Sequence, residues 1–141
     1  MNRLMICMFV LAMCFELNVS IASWFKCPNN KVLIENDLGP GLVLQYHCHS
    51  RDDNLSVANL QFKEMKRIVF GDKLGRRTRW TCTLKHGLYM RYSKEFIAYK
   101  AGVIDDCDKW RHWIAKRDGI YLIKDKKLPA VFKHAWIKKT K

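Results

Sequence analysis

The sequence predicts an all-β protein, a small β-sandwich of two antiparallel sheets stapled by disulfides and followed by a basic C-terminal tail. Three observations predict it: apolar residues alternate with polar ones along most of the chain, turn residues interrupt the alternating runs, and four cysteines follow an apolar leader. Leu42, Leu44, Tyr46 and Cys48 are apolar with Gln45 and His47 between them, and Trp80, Cys82 and Leu84 alternate with Arg79, Thr81, Thr83 and Lys85. A period of two turns one side of each strand to the core, so Cys48 and Cys82 should both face inward. Leu88, Met90 and Tyr92 repeat the pattern, and shorter β-prone runs lie at Val32–Ile34, Ile68–Phe70 and Ile120–Ile123. Gly39-Pro40-Gly41, Arg51–Asn54, Gly71-Asp72, Gly75 and Asp118-Gly119 supply the turns. Trp110, Trp113 and Ile114 suit one face of a helix as well as an irregular strand.

At the N-terminus, Arg3 precedes the apolar run Leu4–Phe15, and a polar stretch leads to small residues at Ser20 and Ala22. A bilayer span needs about 20 apolar residues, so the run reads as a signal-peptide core cleaved after Ala22. Residues 1–22 are then the signal, 23–123 one β-sandwich domain and 124–141 the tail. Cys7 and Cys14 leave with the signal, while Cys27, Cys48, Cys82 and Cys107 remain. In an oxidising compartment four cysteines make two disulfides, in any of three pairings. Zinc is a poor alternative because no two of the four form a C-x-x-C pair. No metal or other cofactor is expected.

The chain carries 26 Lys and Arg against 13 Asp and Glu, a formal net charge of +13. Such a charge draws a secreted protein toward anionic partners, whether acidic receptor loops, pectic wall polymers, acidic lipids or nucleic acid, and charge alone does not choose among them. Seven lysines lie in 124–141, where Leu128, Val131, Phe132, Ala135, Trp136 and Ile137 recur at roughly helical spacing behind Pro129. That segment reads as a frayed or partly docked tail, with a short amphipathic helix as the sharper reading. Elsewhere the densest basic patch is Lys73, Arg76, Arg77 and Arg79, and with Lys85 these are the candidate partner-binding residues.

Val32-Leu33-Ile34-Glu35-Asn36-Asp37-Leu38, followed by Leu44-Gln45-Tyr46-His47-Cys48-His49-Ser50-Arg51-Asp52-Asp53-Asn54-Leu55, resembles the signature of the plant self-incompatibility S-protein homologues. Thr78–Cys82, Phe96 with Tyr99, Cys107, Trp113-Ile114 and Gly119–Tyr121 resemble that family's later landmarks. The resemblance implies a secreted β-sandwich acting as an extracellular signalling ligand, possessed of no catalytic site and recognised by a cell-surface receptor, in self-incompatibility or reproduction. It also implies a monomer that leaves nucleic acid alone. Many members carry a further cysteine where Arg111 stands, and Cys27 is an addition upstream, so the resemblance suggests Cys27 as the substitute half-cystine. A cationic, membrane-active defence protein is the competing class.

Three motifs invite chemistry. Asp52-Asp53 reads as a turn pair, because consecutive side chains diverge and Asp caps turns. His47 and His49 supply only two metal ligands. Lys85-His86-Gly87-Leu88-Tyr89 is similar to fragments of two secreted-ribonuclease motifs, but that chemistry needs two histidines as acid and base, and here both fragments share His86. Asn54-Leu55-Ser56 is an N-glycosylation sequon in a predicted turn. Protein secreted from plant cells should lose mass on N-glycosidase treatment, and the Asn54→Gln variant should not; an intact mass equal to the bare polypeptide contradicts the assignment.

Overall fold

The computed structural model describes residues 2–24, 26–73, 78–102 and 107–140, with side chains described outside 14–28 and 73. A helix, α1 (Arg3–Trp24), precedes ten strands: β1 (Lys26–Asn36), β2 (Leu44–His49), β3 (Ala58–Leu60), β4 (Met65–Lys73), β5 (Arg79–His86), β6 (Tyr92–Lys100), β7 (Trp110–Lys116), β8 (Gly119–Lys124), β9 (Lys127–His134) and β10 (Ile137–Lys138). Among the described residues no helix is long and apolar enough to cross a membrane. The strands form two five-stranded sheets, one ordered β4-β1-β7-β8-β9 and the other β10-β6-β5-β2-β3. Between them lies one core, built from the inward residues of both sheets, including Val32, Ile34, Leu44, Trp80, Leu84, Phe96, Trp113 and Ile120.

The signature around β1 is an inward row. Val32, Ile34, Asn36 and Leu38 alternate along the strand and its exit, and all four are buried. Asn36 stands where the chain leaves the first sheet. Its Nδ2 donates to the carbonyls of Leu42 and Leu60, 2.8 Å each, and its Oδ1 accepts from the Leu38 amide at 3.0 Å. One fully buried amide thus satisfies three backbone groups on the path into the second sheet. At the other end, Tyr99 of the second sheet donates to Asp72 of β4 at 2.6 Å, Asn30 of β1 donates to the same carboxylate oxygen at 2.8 Å, and the Lys109 amide donates to Asn30 Oδ1. Burial, then the Asp72 bond, pushes the Tyr99 hydroxyl well above its ordinary range.

Three sequence expectations need correcting in detail, and one left open is decided. The first sheet is not wholly antiparallel, because β1 and β7 pair in parallel from Lys31↔Trp110 to Asn36↔Ala115. Parallel neighbours need a long crossover, and the strands of the second sheet supply it. Trp110, Trp113 and Ile114 lie on a strand, while Leu88–Met90 form a 3-10 turn with positive φ at Tyr89 and Met90. Cys48 and Cys82 do face inward, and they bond to each other as directly opposed partners on β2 and β5, within one sheet. The described part of the predicted tail, 124–140, is neither a loose tail nor a helix: β9 closes one edge of the first sheet and β10 one edge of the second. Its lysines flank edge strands, where charge discourages further strand addition. Tyr121↔Phe132 and Leu122↔Val131 pairings hold β9, and the Trp136 indole donates to the Lys116 carbonyl at 2.7 Å.

Two histidines fill aromatic gaps. His86 is buried, stacked on Tyr92 with centroids 5.0 Å apart and met edge-on by Trp136 at 4.3 Å. His134 stacks on Phe96 and Trp113. Burial lowers both from the ordinary 6.5, and Lys94 and Lys133 lower His134 further.

The folded protein therefore binds fewer protons at these rings than the unfolded chain, and stability should fall as pH drops below about 6.5. Urea midpoints measured from pH 7.5 to 5 should decline, and the decline should be shallower in His86→Phe; parallel profiles would refute the assignment. Asn36→Ala strands three buried backbone groups and should cost roughly 2 to 4 kcal/mol in urea melts. The Cys48–Cys82 bond closes 34 residues, so the double serine variant should lose about 3 to 4 kcal/mol. At Gly119 an added Cβ would sit 2.7 Å from the His134 carbonyl oxygen, and Gly119→Ala should cost about 1 to 3 kcal/mol.

Candidate recognition surfaces

The outer face of the second sheet is polar. Gln45, His47 and His49 of β2 lie beside Thr81, Thr83 and Lys85 of β5, and Thr83 donates to Glu95 of β6 at 3.3 Å. His47 Nε2 and Asn54 Oδ1 are 2.7 Å apart, and Asn54 forms an isolated bridge with His49. The turn before Asn54 is closed by Ser50: its amide donates to the Asp53 carbonyl, and its Oγ accepts from the Asp53 amide. Asp52 and Asp53 are exposed members of this turn. Asn54 is itself exposed, and its Nδ2, the atom a glycan would modify, makes no hydrogen bond among the described residues.

Of the five predicted partner-binding residues, the two whose side chains are described, Arg79 and Lys85, stand at opposite ends of one strand. Arg79 and Lys85 begin and nearly end β5, and six residues at about 3.3 Å each separate them by roughly 20 Å. Lys73 closes β4, with its side chain outside the described residues, as are Arg76 and Arg77. What the fold gathers instead surrounds Lys85. Gly87, with φ 84°, turns the chain into Leu88–Met90, whose amide–carbonyl bonds run from Met90 to Gly87 and from Arg91 to Leu88. Tyr89 is 90% exposed and Leu88 71%. Lys85 pairs with Ser93, Lys138 pairs with Tyr92, and the Lys139 amide donates to the Arg91 carbonyl. Lys85, Arg91, Lys138 and Lys139 thus ring an apolar tip, and none has a carboxylate partner among the described residues.

Sequence reasoning misses this cluster because it joins residues more than forty positions apart, through a strand whose composition suggests a basic tail. Gly87 was the available local sign, since a positive φ there ends the alternating run early.

Among the described residues no group of three His, Cys, Asp or Glu could hold a metal. His86, the residue shared by the ribonuclease-like fragments, is enclosed by Tyr92 and Trp136. A cleft of about 350 Å³ beside Cys107 and Trp110 is lined by two carboxylates, Asp108 and Asp125, and Asp125 is committed to Arg111 at 2.8 Å and to the Trp110 amide at 2.9 Å. The backbone amide and Arg111 outweigh its burial and lower its pKa.

The model of the plant self-incompatibility protein S1 family matches residues 31–136, which run from β1 through β9 to Trp136. S-protein homolog 14 of Arabidopsis thaliana is 63% identical over 138 residues, covering 98% of this chain and 99% of that one. S-protein homolog 25 of the same plant is 40% identical over 115 residues, 79% of this chain and 85% of its own. A solved structure of the self-incompatibility protein homologues, described as a widespread family of small, highly stable, secreted proteins from plants, superposes with a TM-score of 0.66 at 34% identity, covering 78% of this chain and 96% of that one. With its two-sheet architecture and its buried Val32, Ile34, Asn36 and Leu38 row, the chain belongs to the plant self-incompatibility S1 family of S-protein homologues and is a secreted protein.

Proposed function

We propose that the protein is an extracellular recognition ligand, in self-incompatibility or another reproductive signal, that binds a cell-surface receptor through the cationic end around Tyr89. The observation that carries this reading is the almost fully exposed Tyr89, set on a left-handed backbone with φ 56° and ringed by Lys85, Arg91, Lys138 and Lys139. Tyrosine offers a large amphipathic contact at small entropic cost, and such residues dominate binding energies. Unpaired cations around it speed the encounter with an acidic partner. The short turn is tied at both ends, so little ordering remains to be done on binding.

Processing fits the same reading. Cleavage after Ala22 frees the domain, and a glycan on Asn54 would stand beside His49, whose strand partner is Thr81, away from the Lys85 end. Cys107 is disulfide-bonded, and we take Cys27 as its partner. The parallel pairing of Lys31 with Trp110 supports this, because Cys27 and Cys107 precede those residues by four and three positions at the same end of the sheet.

Labelled protein should bind intact cells of the responding plant tissue, and Tyr89→Ala should weaken that binding by about 10- to 100-fold. Lys85→Glu should slow association, with the difference shrinking at high salt. Equal binding by wild type and Tyr89→Ala would remove the tip from the reading. Peptide mapping without reduction should recover a Cys27–Cys107 peptide, and a free thiol at either position contradicts the pairing.

A further inference from the structure

The two outer faces of the sandwich differ. That of the second sheet is largely polar, with Ile97 and Ile137 as its exposed apolar residues, as befits a sheet facing water. That of the first sheet carries an unbroken row across all five strands, Met65–Glu35–Ile114–Tyr121–Phe132, set by four successive registers. A second row runs Arg67–Leu33–His112–Ile123, and a third holds Val69, Lys31 and Trp110. Leu33 and Ile114 are only 2% and 8% exposed, yet neither belongs to the core cluster, because both alternate with inward residues and turn outward. Around them Val69 and Phe132 are about half exposed, at 53% and 49%. Strands apolar on both faces are the mark of a sheet meant to be covered on both.

We propose that this outer face is a second docking surface, and that its occupant is a protein partner with an apolar centre and a carboxylate rim. The charges argue for that chemistry. Four carboxylates at the face are already engaged within the chain: Glu35 with His112 at 2.7 Å, Asp37 with Lys63, Asp118 with the Tyr121 hydroxyl at 2.6 Å and Asp125 with Arg111. Lys31, Arg67 and Lys126 have no carboxylate among the described residues. Lys31 and Lys126 instead rest over the Trp110 ring, 5.6 and 4.8 Å from its centroid. An acidic partner would find these three cations uncommitted, and would bury Trp110, Tyr121 and Phe132, the residue types that anchor interfaces. A second copy of the chain would bring the same three cations against their own kind in a two-fold contact. A lipid surface would have to desolvate the Glu35–His112 pair with nothing to offer it.

The inference rests on the reading that the protein acts by binding a protein at the cell surface, and it uses a face distinct from the Tyr89 tip. Two measurements on the full secreted chain test it. The first is titration with anilinonaphthalene sulfonate, an anionic aromatic dye. Wild type should bind it in the folded state, Val69→Asp and Arg67→Glu should weaken binding at least 10-fold, and Ile97→Asp on the opposite face should leave it unchanged. The second is binding of labelled protein to protoplasts, where the same two variants should lose at least 10-fold and binding should vanish after trypsin treatment of the cells. Thermal melts of Arg67→Glu, an exposed edge position, separate lost binding from lost folding. Dye binding that ignores the face variants overturns the proposal. So does trypsin-resistant binding reproduced by vesicles of phosphatidylserine, which assigns a membrane, or a sedimenting dimer broken by Val69→Asp, which assigns a second copy. Protoplast binding that depends on Tyr89 alone overturns the second surface and leaves the ligand reading intact. Wild-type protein that binds no cell overturns the ligand reading, and the dye titration then decides the face by itself.

Discussion

The Asn36 side chain is the point on which the sandwich turns. It sits at the end of β1, where the chain must leave one sheet and enter the other, and it holds the amide of Leu38 and the carbonyls of Leu42 and Leu60. A buried crossing of this kind has backbone groups that neither sheet can satisfy, and a short amide that both donates and accepts is suited to them. Once that crossing is set, β2 and β3 are delivered to the second sheet, Leu44 and Leu60 are paired, and the core has its two walls. The Asn30–Asp72–Tyr99 cluster does the corresponding work at the opposite end, again by linking the two sheets.

With both ends tied by hydrogen bonds and the middle of the second sheet crosslinked at Cys48–Cys82, the two outer surfaces and the connecting turns are free to carry function. The domain is thus a frame whose interior explains the family signature. Val32, Ile34, Asn36 and Leu38 are all inward, and Asp52-Asp53 belongs to a turn closed by Ser50. These motif residues report on folding. The residues proposed for recognition, Tyr89 with its four cations and the outer face around Ile114, lie outside the signature's inward row.

The strong positive charge acquires positions in the same way. Some of it is neutralised locally, as at Lys63–Asp37 and Arg111–Asp125. Other cations gather where the chain closes its sheets with β9 and β10, beside the Leu88–Met90 turn and over the Trp110 ring. A segment that composition suggests is a loose basic tail is held by pairing with β8 and β6 and by the Trp136 contacts.

How much could be read beforehand depended on how local each feature is. The alternation Trp80-Cys82-Leu84 and Leu44-Tyr46-Cys48 is a property of neighbouring residues, so it determined the strands, their inward sides and the cysteines that meet there. The consecutive Val32-Leu33-Ile34 run and the paired Trp113-Ile114 held a further hint, that this sheet is apolar on both faces, but a run of that length does not say which strands lie together. The same alternation misled at Leu88-Met90-Tyr92, where Gly87 and two left-handed residues make a turn, and helical spacing misled at Leu128–Ile137, where β8 and β6 impose extended backbone. The parallel β1–β7 pair, the burial of His86 and the row joining Met65 to Phe132 were decided by tertiary structure alone. Each depends on contacts between residues tens of positions apart, and no local periodicity carries information about which distant strand will supply the partner.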